Sequence, residues 1–205
     1  MQYINQSLVS EIRQKFCNVN TCPISGDRIF FENAGGALTL KSALETTTKF
    51  ASIPDNQGRD NAASKTLNDV IKNAKRDLSA LFNTKSGEFF MGESGTELLF
   101  RLIRNAVIAS PSGGSIVGTS LEHPASRSAA KKWSNEMKYT YLSVPHCVKT
   151  GTVDPKNYAG KISDTTRVVT IVHASPVTGM GTKIKEISKI VRQKAPLAFI
   201  IVDGI

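Results

Sequence analysis

Two stretches near the end of the chain constrain the fold more than anything else in it. Arg167–Val172 (RVVTIV) is an unbroken β-rich run, and Leu197–Val202 (LAFIIV) is apolar throughout. A strand wet on one face alternates apolar and polar residues, whereas a strand buried on both faces reads as a continuous apolar run of this kind. Between them, Ile184–Lys194 has the spacing of an amphipathic helix and stops before Pro196. Strand, helix, strand is the unit of a parallel sheet, and the pattern continues upstream. Ser115–Thr119 reads as a buried strand, Ala125–Asn135 as a helix opened by Pro124, Tyr139–Val144 as a strand, and Asp154-Pro155 as the start of a short helix. The expected class is α/β: a mostly parallel sheet covered by helices on both faces. Ligands of such sheets gather beyond the carboxyl ends of the strands, where the loops carry Ser94 to Thr96, His123, Ser175 and Asp203.

The first of these loops follows a short aromatic run, Glu88–Met91, read as a strand. It precedes a helix whose buried face is Leu98, Leu99, Leu102, Ile103, Ala106 and Val107. Gly92-Glu93-Ser94-Gly95-Thr96 joins the two. Its glycines free the backbone to turn, and Ser94 and Thr96 are residues of N-cap type beside the unpaired N–H groups of a helix start. Free N–H donors and the positive end of the helix dipole favour a phosphate or a carboxylate. A plain capped helix uses the same residues, so the loop alone leaves both readings open.

Ahead of this segment, residues 1–27 read as a lead-in: a helix over Leu8–Phe16, then a loop with Cys17, Cys22 and Pro23. The remainder, 28–205, reads as one incomplete large domain. It opens with a strand over Arg28–Glu32, a small-residue loop over Asn33–Ala37, a helix over Thr39–Ser52, a polar loop over Pro54–Asn61 and a long helix over Ala62–Phe82.

Composition narrows the function class. The net charge of +9 permits attraction to phosphate-bearing partners, but the lysines are spread over helices with no compact basic stripe and no interleaved aromatics, so nucleic acid is not an expected partner. No apolar run is long enough to cross a bilayer and Met1–Ser10 lacks a signal-type pattern; a cytoplasmic location and no membrane partner are expected. Cys17, Cys22 and Cys147 are an odd, scattered set read as reduced thiols. His123, His146 and His173 are too dispersed to propose a metal. Gly113, Gly114 and Gly118 do not form a dinucleotide fingerprint, and there is no Walker A sequence. GESGT approaches the nucleophile elbow of α/β-hydrolases, with Ser94 as nucleophile, but Thr96 stands where glycine is required and no histidine follows Asp203.

Taken in order, FFENAGGALTL, SGTELLFRLIRNAV, LEHPAS, TRVVTIVHASPVTGMGTKIKEISKIV and AFIIVDGI resemble the class V aminotransferase family of fold-type-I pyridoxal-phosphate enzymes, in its cysteine-desulfurase-like branch. The resemblance runs from about Arg28 to the end of the chain. It implies pyridoxal 5'-phosphate as cofactor, an amino acid or amine as substrate reacting through an aldimine, and a homodimer in the complete protein. Ser94, Gly95 and Thr96 match the phosphate-binding loop, His123 the histidine stacked on the pyridine ring, and Asp203 the carboxylate paired with the ring nitrogen. His123 and Asp203 are thereby the expected catalytic pair. The family commonly places an asparagine near the ring hydroxyl where this chain has Pro176, so Ser175 or another group would have to serve. The family's Schiff-base lysine lies downstream of the aspartate, and no lysine here matches it. The expectation is therefore an amino-terminal part of an enzyme, inactive alone and lacking the small domain. A degenerate homologue acting as a binding module is the non-catalytic alternative.

Overall fold

The computed structural model describes residues 5–31, 33, 35–54 and 58–204. The chain falls into two compact units, Met1–Phe90 and Met91–Ile205.

In the first unit, helix α1 (Gln6–Gln14) is capped by the Asn5 side chain, which accepts from the Ser7 N–H. Strands β1 (Thr21–Cys22) and β2 (Gly26–Asp27) form a minimal antiparallel pair. Helices α2 (Lys41–Ala51) and α3 (Ala62–Leu81) follow, the latter capped by Asn61 accepting from Ser64 N–H. These helices lie within a few residues of the expected ones. The expected strand over Arg28–Glu32 does not form: Arg28–Phe31 belong to no strand, and Glu32 lies outside the described residues, as does Ala34 of the Asn33–Ala37 loop. Glu88–Met91 is likewise not a strand. The reason is the same for both. A strand exists only where an edge receives its backbone, and apart from the Arg28 N–H, which donates to the Asn20 carbonyl at 2.9 Å, these segments meet none among the described residues, leaving Ile29, Phe31, Phe90 and Met91 exposed.

The second unit is the predicted α/β body. Helix α4 (Gly95–Ile108) precedes strand β3 (Ser115–Thr119), helix α5 (Pro124–Glu136), strand β4 (Thr140–Val144), helix α6 (Pro155–Ala159), strand β5 (Thr166–Val172), helix α7 (Ile184–Lys194) and strand β6 (Phe199–Asp203). The four strands are all parallel, in the order β4-β3-β5-β6. Side-chain alternation divides the core in two. One face presents Ile116, Val168 and Ile201 to α4 and α5, which contribute Leu99, Ile103, Ala125 and Ala129. The other presents Val117, Val169 and Ile171, covered by Tyr158, Ile187 and Val191 of α6 and α7. Both layers of helices are therefore in place, and each strand end is held by two packed faces.

The order of the strands decides where a ligand would sit. From β3 the chain goes outward to β4, then returns across β3 to β5 on its other side. The loops leaving β3 and β5 consequently depart in opposite directions, and a crevice opens between them at the carboxyl ends.

Candidate functional site

Helix α4 begins with its donors only partly used. Ser94 is the N-cap, its hydroxyl accepting from Glu97 N–H at 3.2 Å, while the Glu97 carboxylate reaches back to Glu93 N–H at 3.1 Å. The arrangement is close to a capping box. No partner among the described residues takes the N–H groups of Gly95 and Thr96 or the Thr96 hydroxyl, so this helix start keeps the donor set that an anion needs. The other oxygen of Glu97 pairs with Arg101 Nε at 2.8 Å, which offsets a negative charge standing at the same helix end. The glycine before this turn acts through space and not through an unusual dihedral. A Cβ on Gly92 would come within 2.6 Å of Glu97 Oε2 and of Leu98 Cδ2, so a larger residue here would have to displace the Glu97 and Leu98 side chains that close over the turn.

At the crevice, β3 ends at Thr119 and the next residues form a short buried turn. Leu121 is buried among the apolar residues under α6 and α7, and His123, exposed, is the N-cap of α5. His123 Nδ1 accepts from Ala125 N–H at 3.2 Å. A ring nitrogen that accepts carries no proton, so a neutral His123 has its hydrogen on Nε2. The ring is thus tied at one edge with its faces open.

Strand β5 ends at Val172, whose register partner on β6 is Asp203. Asp203 closes β6 instead of following it, is 5% exposed, and its carbonyl accepts from His173 N–H at 2.7 Å. Beyond His173, Ser175 is buried and its Oγ accepts from Val177 N–H at 3.2 Å and Thr178 N–H at 3.3 Å, so the hydroxyl oxygen organises its own loop. Gly179 has φ +72° and completes that turn. The expected residues His123, Ser175 and Asp203 all lie on the carboxyl edge of the sheet, at the ends of β3, β5 and β6.

Glu122 belongs with them, although its residue type suggests a solvated turn. It is 1% exposed. Its Oε1 accepts from Thr119 Oγ1 at 3.3 Å and Val172 N–H at 3.2 Å, and its Oε2 accepts from Ser126 Oγ at 3.0 Å. Burial pushes its pKa up to about 7; the three donors pull it down, and the charge of Asp203 adds to the rise. An acidic residue between an apolar strand and a Pro-opened helix was the available signal. On the other side, Ser120 bridges to the loop after β4, its hydroxyl bonded to His146 Nδ1 at 2.8 Å and accepting from His146 N–H at 3.0 Å.

The aminotransferase class-V family model matches residues 29–205. The chain belongs to that family. A cysteine desulfurase of Nostoc sp. is 30% identical over 132 residues, covering 64% of this chain and 32% of the relative. Among solved structures, the apo cysteine desulfurase of Thermococcus onnurineus superposes with a TM-score of 0.80 at 17% identity, over 100% of this chain and 48% of its own. A variant of C-DES with glycine covalently linked to its PLP cofactor gives a TM-score of 0.74 at 20% identity, over 94% of this chain and 49% of that one. These superpositions carry the shared α/β fold. The matches therefore span 32% to 49% of the length of these three proteins.

Proposed function

We propose that this chain forms the cofactor-holding part of a pyridoxal-phosphate enzyme of the cysteine-desulfurase-like kind, acting on an amino acid or amine. The observation that carries the reading is the placement of an exposed, edge-tied imidazole and a buried carboxylate at the carboxyl ends of β3 and β6, on either side of β5, in a class-V chain. The residues present fit the group. The open N–H groups of Gly95 and Thr96, with the Thr96 hydroxyl, suit a phosphate. The open faces of His123 suit an aromatic ring, and the carboxylate of Asp203 suits a protonated ring nitrogen.

When bound, pyridoxal phosphate supplies an electron sink for charge developing at the substrate α-carbon. This chain's part is to hold it there. Asp203 keeps the proton on the ring nitrogen, because a buried carboxylate beside that atom favours its cationic form. His123 would cover one face of the bound ring and exclude water from it. Ser175, with Pro176 beside it in place of a side-chain donor, would be a candidate hydroxyl for the ring oxygen. The Schiff-base lysine and the substrate-carboxylate group are assigned to the remainder of the protein, and a homodimer in the cytoplasm completes the reading.

The test is a titration with pyridoxal phosphate. Thr96→Val should weaken binding by about 1 to 3 kcal/mol, the scale of one hydrogen bond to a charged group. An unchanged dissociation constant would refute the phosphate assignment. The 205-residue chain alone should turn over no amino acid; borohydride reduction that labels one lysine stoichiometrically, together with turnover, would place the whole chemistry within it.

A further inference from the structure

We propose that Glu122 is the positioning residue for His123, clamping the turn that carries the ring to the ends of β3 and β5; the inference rests on the reading of His123 as the residue that covers the cofactor ring. Three donors from three separate elements converge on this one carboxyl group: the Thr119 hydroxyl at the end of β3, the Val172 N–H at the end of β5, and the Ser126 hydroxyl in the first turn of α5. His123 sits between the clamp and the helix it caps. Among the described residues its ring is bonded by Ala125 N–H and its carbonyl by Arg127 N–H, both of which move with α5. Ala125 and Ala129 pack α5 against the sheet, and Glu122, through Ser126, adds the directional polar tie that sets its first turn against the ends of β3 and β5.

The clamp reaches the second functional group as well. Val172, whose N–H Glu122 holds, is the register partner of Asp203. The imidazole and the carboxylate that would face the cofactor are thus referenced to one buried group at the point where the strand order reverses. A carboxyl group is suited to this because its two oxygens accept from different directions, toward the sheet and toward the helix. Glutamine keeps that function. Its carbonyl oxygen can take the Thr119 and Val172 donors, and its amide can donate to the Ser126 hydroxyl, which is free to rotate into an acceptor.

The experiment uses the full-length polypeptide loaded with pyridoxal phosphate. It reads the cofactor's visible absorption band and its dissociation constant in Glu122→Ala, Glu122→Gln, Ser126→Ala, His123→Ala and the double variant Glu122→Ala/His123→Ala. Glu122→Ala should displace the band in the same direction as His123→Ala and weaken binding about tenfold. Ser126→Ala, which cuts only the tie to α5, should do the same to a smaller extent. The double variant should be no worse than the more impaired single one, because both act through the same ring. Glu122→Gln should match the parent. A band displaced by His123→Ala but untouched by Glu122→Ala and Ser126→Ala would overturn the clamp while leaving the ring-covering assignment standing. Impairment of Glu122→Gln as deep as that of Glu122→Ala would also overturn it, since charge and not position would then be the cause. If His123→Ala itself leaves the band unchanged, the reading of His123 fails first and the inference with it.

Discussion

Glu122 should make the stability of the second unit depend on pH in a way that one substitution removes. Its carboxyl has an ordinary value of 4.5 and is pushed up to about 7 in the folded chain, chiefly because burial disfavours the charge. The groups that face it are Asp203 on β6, whose negative charge adds to the rise, and Tyr141 on β4 and Tyr158 on α6, which burial keeps neutral throughout this range. Below pH 4.5 the carboxyl is protonated in both folded and unfolded chains and contributes no penalty. As pH rises the unfolded chain releases its proton first, so stability falls until the folded group ionises near pH 7, and is level beyond it. At about 1.4 kcal/mol per pH unit, the loss across that window is about 3 kcal/mol. Glu122→Gln keeps the shape and cannot ionise, so its profile should lack this fall. Trp133 is the single tryptophan, lies on α5, and donates from Nε1 to the Phe100 carbonyl at 3.1 Å, so its fluorescence follows the unit concerned. Urea unfolding at pH 4.5 and pH 7.5 should show the parent losing about 3 kcal/mol more than the variant. Equal pH dependence in the two proteins would show that Glu122 is not buried as described.

Two further outcomes test the packing that holds the site. Gly118→Ala should destabilise by about 1 to 3 kcal/mol, because its Cβ would lie 2.7 Å from Thr170 Oγ1 and 3.0 Å from the Tyr141 hydroxyl; thermal unfolding checks it, and an unchanged midpoint refutes it. Ile103→Ala, at a fully buried position between α4 and the sheet, should cost about 2 to 5 kcal/mol in denaturant unfolding, and a loss below 1 kcal/mol would contradict that packing.

What was legible in the sequence is what local pattern alone determines. The apolar run at Val168–Val172, the 3.6-residue spacing of α7, and Pro124 at the start of α5 all express themselves wherever they are placed, and the four parallel strands follow from them. The aromatic runs around Phe31 and Phe90 misled for the complementary reason. Their pattern states a preference for extended backbone but cannot state whether an edge is within reach. Asp203 and His123 each follow an apolar run, but it was the ordered set of motifs around them, and its resemblance to the class V family, that singled them out. Glu122 had only its place between an apolar strand and a Pro-opened helix to mark it, a weak signal because glutamate is usually solvated; the three donors brought from β3, β5 and α5 make its burial tolerable.

The pairing of Val172 with Asp203 also governs which changes of length the chain can absorb. Successive residues of a strand face opposite ways, so one residue inserted or deleted within Phe199–Val202 would do more than alter the strand's length. It would bring an aliphatic side chain or a glycine to the place of the carboxylate and turn Asp203 to the other helical layer. The connection between α7 and β6, by contrast, contains Pro196 and the exposed Leu197 and can lengthen without disturbing that pairing. Among descendants of this sequence, insertions should therefore accumulate around Pro196 and Leu197, between the buried Ala195 and Ala198, and be absent from the five residues Phe199–Asp203.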